Sequence, residues 1–410
     1  MSANTVTFTD SDTQKCPFHA YEAARSLSPA YRDPANGFFI VTDYDKVRAV
    51  ALDTETFSSE TGLMFVKDSE IKEKIDKIWR ENGVMPVNTM VVKDDPEHKF
   101  HRSLVDKAFT PLRVRQMESY LESIVDDMID KFADKGEADF HNQMSVMVPL
   151  SVIADQLGVP RSNMKKFKFW SDTVMRECDQ SNTPEQQIEI TYDMCELHRY
   201  VIEKAAEYKA APAECMLSDM VNADVDGRRL SIEELVAIVA QILTAGNETT
   251  AAAMSSAMIR LIEEPGLEAR LHANPELIPQ FVEEVLRLDS PIQGLFRRAT
   301  RDTEIGGVPI PAGSIVVIKW AAANRDSAQF PDAAKLDLDR TNSRRHVSFG
   351  YGPHICIGNQ LARGELRIAI SRLLQRMKNF RYARGDASAI RHPHYFSYSV
   401  CELHIAFDRL

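Results

Sequence analysis

The chain has 410 residues, 44% hydrophobic and 27% charged, which is the composition of a globular protein with a large core and excludes a disordered or fibrous one. Sixty Asp and Glu against 49 Lys and Arg leave a net charge of -11, the opposite of a nucleic-acid binder's basic footprint. The polar start, Met1 to Asp12, carries no signal pattern and nowhere do about 18 apolar residues run together, so a cytoplasmic protein without a membrane span is expected.

No repeat or Gly/Ser linker divides the sequence, which reads as a disordered tail over 1–19 and one domain over 20–410. Phe38 to Val41 has strand character, and Thr42 or Asp43 is placed to cap a helix after it. From Met117 to Phe132 apolar residues recur at helical spacing, and Gly136 ends the run. The longest helix starts at Ser231, which forms a capping-box pair with Glu234, and Pro265-Gly266 stops it. Some thirty residues span roughly 45 Å. Its middle, Ala245-Gly246-Asn247-Glu248-Thr249-Thr250, is a poor choice for the centre of a buried helix, and such violations mark functional sites. After Pro291 the pattern turns to short strands, at Glu304 to Trp320 and again at Tyr395 to Phe407. The expected fold is mainly α with a minor β subregion built from both ends of the chain.

Six cysteines, Cys16, Cys178, Cys195, Cys215, Cys356 and Cys401, lack CxxC spacing and are expected to be reduced thiols. Only Cys356 has unusual surroundings. Phe349-Gly350-Tyr351-Gly352-Pro353-His354-Ile355-Cys356-Ile357-Gly358 specifies a tight loop, and a helix follows from about Asn359. A thiol there faces unbonded N–H groups and the positive end of the helix dipole, which favour the thiolate. A dinucleotide fingerprint beginning at Gly350-x-Gly352 fails, because Ile355 stands at its third position and no βαβ unit precedes it.

This segment resembles the haem-ligand loop of the cytochrome P450 family, extended by Leu361-Ala362-Arg363. Further family marks follow in order: Asp95-Pro96-Glu97-His98 with Arg102, the Ala245 to Thr249 stretch, Glu284-Val285-Leu286-Arg287, and Ala323-Asn324-Arg325-Asp326 with Phe330-Pro331 and Arg340. The resemblance covers about residues 20 to 410, is closest to soluble bacterial members, and implies the cytochrome P450 fold. It implies haem b ligated by Cys356, with Ala245, Gly246, Phe349 and Gly358 beside the cofactor. His98, Arg102, Arg297 and His354 are the expected propionate partners, Arg297 being preferred to Arg298 for its spacing to Thr300. Glu284 and Arg287, one helical turn apart, are expected to form a buried pair joined by Arg340, with Leu336 standing where the family often has Phe.

The activity implied is monooxygenation: one oxygen atom from O2 enters a small apolar or aromatic substrate. Thr249 is expected to hydrogen-bond dioxygen and Glu248 to link that point to solvent protons, with Gly246 letting the helix open. A peroxide-driven peroxygenase is the alternative, but such family members lack the acid–alcohol pair. A haem sensor is another, for which Cys16-Pro17 with His19 is a short, common motif. The chain ends at Leu410 without a flavin or nicotinamide domain, so the expected donors are a ferredoxin of 2Fe–2S or similar type, its reductase and NAD(P)H. The pocket is expected to be lined by residues 83–91, 243–249, 291–296 and 395–398, with Asn88, Gln293 and Ser397 as polar handles. Residues 340–380 hold eight cations against Glu365 alone, a local +7, which points to an acidic ferredoxin docking there with Arg344 and Arg345 outermost.

Overall fold

The computed structural model describes residues 6–62, 69–177, 182–391 and 393–410, so Cys178 lies outside the described residues. Helices form where apolar spacing meets a cap. Those that bear on function are, in chain order, α1 (Ser69–Asn82), α2 (Glu97–Val105), α3 (Glu118–Asp130), α4 (Met147–Gln156), α5 (Met164–Glu177), α6 (Pro184–Ala210), α7 (Ile232–Glu263), α8 (Ile278–Leu288) and α9 (Asn359–Arg376). The predicted capping box opens α7: the Glu234 N–H donates to Ser231 Oγ at 3.1 Å and the Ser231 N–H donates to the Glu234 carboxylate at 2.8 Å. Among the described residues no helix is long and apolar enough to cross a membrane.

The strands are β1 (Tyr31–Arg32), β2 (Phe39–Val41), β3 (Phe57–Ser58), β4 (Glu137–Asp139), β5 (Leu295–Ala299), β6 (Thr303–Ile305), β7 (Val308–Ile310), β8 (Ile315–Ile318), β9 (Met377–Tyr382), β10 (Ala389–Arg391) and β11 (Val400–Arg409). One sheet, ordered β1-β2-β8-β5-β3, draws on both ends of the chain, as expected. Its register sets Phe39 parallel to Val316, and Val316 antiparallel to Arg297. In a second sheet β11 pairs with β4, β9 and β10.

Packing groups the chain into two compact units. The first comprises the segment up to Thr61, Val114–Val148 and Thr249–Leu410, and so holds both sheets, α3, α8 and α9. The second comprises Gly62–Arg113 and Pro149–Glu248, where α6 packs against α1 and α5. The division falls inside α7, between Glu248 and Thr249.

The loose tail expected over 1–19 does not hold for residues 6–19. Asp10 caps a helix at Ser11–Lys15, and Phe8 is 3% exposed, stacked on Tyr21. Its N–H donates to the Asp33 carboxylate at 3.0 Å, and Val6 exchanges two hydrogen bonds with the Tyr31 hydroxyl. Burial of Phe8 suffices to anchor this polar stretch, although residues 9–12, 15 and 16 stay exposed.

The same cluster holds Lys319, 1% exposed. Its ammonium donates to the Tyr395 carbonyl at 3.2 Å and lies 4.3 Å from the Tyr395 ring, with the Phe8 and Tyr21 rings beyond. Burial pulls this amine down to about 7. The unfolded chain therefore binds the proton more tightly than the native state. Stability is penalised below pH 7 and recovers as pH rises toward the free amine's value. Lys319→Met is expected to melt higher than wild type at pH 6, the gap shrinking by up to about 1.4 kcal/mol per pH unit between 7 and about 10.4. A gap independent of pH in paired thermal melts would contradict a neutral Lys319.

Candidate active site

In the first unit, the turn that presents Cys356 is shaped by backbone conformation. Gly350 and Gly352 adopt φ of +75° and +79°, a left-handed region that residues with a Cβ rarely enter. The chain then closes on itself: the Cys356 N–H donates to the Phe349 carbonyl at 2.7 Å, and Asn359 Nδ2 donates to the Cys356 carbonyl at 2.7 Å. Gly358 is the N-cap of α9, so Cys356 lies just before the helix N-terminus, as read from the sequence. The thiol is half-buried and in no disulfide among the described residues. A Cβ added at Gly358 would meet no atom within 4 Å, leaving its backbone open to close approach.

A buried acid supports this loop from behind. On α8, Glu283 accepts from Arg363 of α9 at 2.6 and 3.0 Å and pairs with His346 Nε2 at 3.0 Å. Burial pushes the Glu283 carboxyl up, but these partners outweigh it and hold it at about 2. The Arg363 guanidinium also lies 4.5 Å from the centre of the Phe349 ring. Phe349 is therefore held by stacking as well as by its backbone, and nothing in local sequence signalled this.

Glu284 and Arg287 form the expected buried pair, at 2.7 and 2.9 Å, and Arg340 joins it at 3.2 Å. Arg297 on β5 is 2% exposed whereas Arg298 is exposed, so burial favours the residue that spacing preferred. Its Nη1 donates to the Phe296 carbonyl at 2.8 Å. His354, half-buried, meets Ser59 Oγ at 3.0 Å. A thiol at a helix N-terminus, an open backbone beside it and a buried guanidinium fit a prosthetic group with carboxylate arms, as haem has.

Glu365 of α9 entered the local charge sum as an ionised carboxylate. It is fully buried, bonded to Thr250 of α7, with Oε1 lacking a hydrogen bond. Burial pushes its carboxyl up to about 8, so it is protonated at neutral pH. The basic segment 340–380 is also less exposed than its composition suggested. Arg367 pairs with Glu118, Arg372 with Asp126, and Arg376 with Asp126 and Asp130, all along α3. With Arg340 and Arg363 also engaged, only Arg344, Arg345 and Lys378 remain exposed without an ion pair among the described residues.

Two expected substrate contacts are corrected. Gln293 is buried and spent internally, accepting from the Tyr21 hydroxyl at 2.9 Å and donating to the Ser290 carbonyl at 2.5 Å. Tyr395 stacks on Phe296 and Lys319, and Tyr398 packs edge-on to Phe18. Asn88 is exposed and Ser397 half-buried.

In the second unit, Ala245, Gly246, Asn247 and Glu248 occupy successive positions of α7, which runs from 232 to 263. A Cβ at Gly246 would lie 2.6 Å from Cδ1 of Ile153 on α4, so the glycine permits two helices to approach. Ala245 is exposed, and Asn247 is buried with its amide donating to Ser171 Oγ at 2.9 Å. Glu248 is half-buried; burial raises its carboxyl, the Asp172 carboxylate raises it further, and Lys168 offsets part of this. Lys168 and Asp172, bonded at 2.8 and 2.9 Å on α5, are solvent-accessible, so accessible charges lie within electrostatic reach of Glu248. Thr249, half-buried, follows it in the first unit.

On α2, His98 is buried with Nδ1 at 3.2 Å from Asp95, and Arg102 pairs with Asp106 at 3.4 Å; four residues apart, the two share a helix face. Beside them Glu97, His101 and Glu234 have metal-like spacing, but the Arg228 guanidinium already bonds both carboxylates.

A family profile described as Cytochrome P450 matches residues 162–387. The chain is 38% identical over 361 residues to the putative cytochrome P450 YjiB of Bacillus subtilis, covering 87% of this chain and 86% of that one. It is 32% identical over 369 residues to a steroid C26-monooxygenase of Mycobacterium tuberculosis, covering 90% and 88%. Among solved structures, cytochrome P450 CYP109Q5 from Chondromyces apiculatus superposes with a TM-score of 0.85 at 31% identity, covering 99% and 98%.

Proposed function

Because the chain belongs to the cytochrome P450 family, we propose that it inserts one atom of O2 into a medium-sized apolar or aromatic compound, with electrons from a separate ferredoxin and an NAD(P)H-dependent reductase. The observation that carries this reading is the Cys356 turn, whose thiol stands before the N-terminus of α9. Haem b is the cofactor; when bound it supplies oxygen activation, which thiolate ligation favours by electron donation. Cys356 would hold its iron, Phe349, Gly358, Ala245 and Gly246 would flank it, and Arg297, His354, His98 and Arg102 would hold its propionates. Residues 20–410 act as one haem-thiolate domain.

Proton delivery is assigned to Glu248 and Thr249. Glu248, its carboxyl raised by burial, takes protons from the accessible Lys168–Asp172 pair and passes them to the Thr249 hydroxyl, which positions O2. Thr249→Ala is expected to keep substrate binding and NAD(P)H consumption while diverting reduced oxygen to hydrogen peroxide, with the proton-dependent step slowed about 10²- to 10⁴-fold. Equal product per NAD(P)H in variant and wild type would refute the assignment. Substrate class is tested by screening apolar and aromatic compounds for a shift of the haem Soret band; response only to polar or charged compounds would overturn it.

An acidic ferredoxin docks against Arg344 and Arg345, exposed on the turn Ser343–Arg345 ahead of the Cys356 loop. The other arginines of this segment are neutralised by their partners, so the long-range field is concentrated on few charges. Arg344→Glu with Arg345→Glu is expected to slow ferredoxin-driven reduction and flatten its salt dependence, with substrate affinity unchanged. Wild-type reduction rates at low and high salt alike would place docking elsewhere.

A further inference from the structure

A cavity of about 350 Å³ opens in the first unit, between the C-terminal end of α7, the turn after α8 and the sheet of β9, β10 and β11. Its lining is polar: Arg260, Glu263, Asp289, Tyr382, Arg391 and Tyr398 carry the functional groups. No role in haem binding, proton delivery or folding assigned above uses this space.

The charges sort into satisfied and unsatisfied. Arg260 donates to both oxygens of Asp289, at 2.7 and 2.8 Å, and to Glu264 at 3.1 Å, and Arg325 lies 3.6 Å from Asp289, so two guanidinium groups and two carboxylates neutralise one another. Arg391 differs. Its guanidinium carbon lies 4.0 Å from the centre of the Tyr398 ring, and the group has no hydrogen bond or ion pair to any described residue. Its Nη1 is buried, so the missing bond is not replaced by open solvent there. Across the same cavity Glu263, exposed to solvent, accepts from the Tyr382 hydroxyl at 2.7 Å and has no cationic partner among the described residues. The buried side of the Arg391 fork is thus the unsatisfied group, and Glu263 is an anion free to take a second cation beside it.

We propose that this cavity binds a small zwitterion of the α-amino-acid type, its carboxylate on Arg391 and its ammonium on Glu263. A guanidinium held against an aromatic ring by a cation–π contact loses less freedom on bidentate capture of a carboxylate. A phosphate dianion would face the carboxylates of Glu263 and Asp289, and a simple carboxylic acid would leave Glu263 unmatched. A ligand without net charge but with separated charges satisfies both. The volume admits an amino acid or a dipeptide and is at the low end for small-molecule sites. The site also touches the substrate-facing segment: the Tyr398 N–H donates to the Pro291 carbonyl at 2.8 Å, and Asp289 lies two residues before that proline.

The test is isothermal titration of the haem-loaded protein with L-phenylalanine, L-leucine, L-glutamine and glycylglycine, beside 3-phenylpropionate and phenethylamine as single-charge analogues. At least one zwitterion is expected to bind wild type at millimolar concentration or below. Arg391→Gln and Glu263→Gln, each with an unchanged Soret band to show intact folding, are expected to weaken it about tenfold or more, the loss of one charged hydrogen bond. The proposal is overturned if no zwitterion of the panel binds wild type, if either variant binds as tightly as wild type, or if a single-charge analogue binds as well as its zwitterion.

Discussion

Arg287→Ala is expected to leave little folded, haem-loaded protein. Arg287 and Glu284 are both 0% exposed, and the guanidinium bonds both oxygens of that carboxylate. Its other N–H groups donate to the carbonyls of Asn324, Ala333 and Lys335, tying α8 to the irregular segment 324–340. Removing the arginine leaves a buried carboxylate with only Arg340 and the Asp337 N–H, takes the Arg287 donor from the carbonyls of Asn324 and Ala333, and leaves that of Lys335 with a 3.4 Å bond from Arg340. Breaking a buried pair from one side costs about 3–5 kcal/mol. That is a large fraction of the roughly 5–15 kcal/mol available to a folded domain. Arg287→Lys is expected to rescue little, since an ammonium cannot reproduce the planar fork. Removal of an accessible pair is the contrast: Arg270, bonded to Asp339 at the surface, is expected to contribute no more than about 1 kcal/mol. The check is the haem-to-protein ratio and melting temperature of each purified variant. Wild-type values for Arg287→Ala would show that the triad is dispensable.

What the sequence made legible was chemistry carried by contiguous residues. The Cys356 loop, the Glu284-to-Arg287 turn and the Ser231 cap of α7 each lie within one short segment, where spacing alone fixes which groups meet. Arg340 was placed by its motif and is found on Glu284. Relations between distant segments were not legible. Asp172 and Lys168 act on Glu248 from another helix, and no local pattern announces this. Arg367, Arg372 and Arg376 read as a basic face because their partners on α3 lie far back in the chain. Glu365 read as one more ionised carboxylate, yet the packing of α9 on α7 makes it a buried acid. Gly246 illustrates the same limit in steric form: the sequence reveals that a Cβ is missing, whereas Ile153 supplies the reason.

Every functional assignment rests on Cys356 as the haem ligand, and the carbon monoxide difference spectrum of the reduced protein tests it most directly. Wild type should show the red-shifted Soret band of a thiolate-ligated haem. Cys401→Ser should keep that band, because Cys401 is half-buried at the start of β11 with its thiol on the Ile390 carbonyl. Cys356→Ser should lose it, since a hydroxyl is not ionised at neutral pH and cannot replace the thiolate's electron donation. An unshifted Soret band in wild type, or an unchanged red-shifted band in Cys356→Ser, would contradict the account.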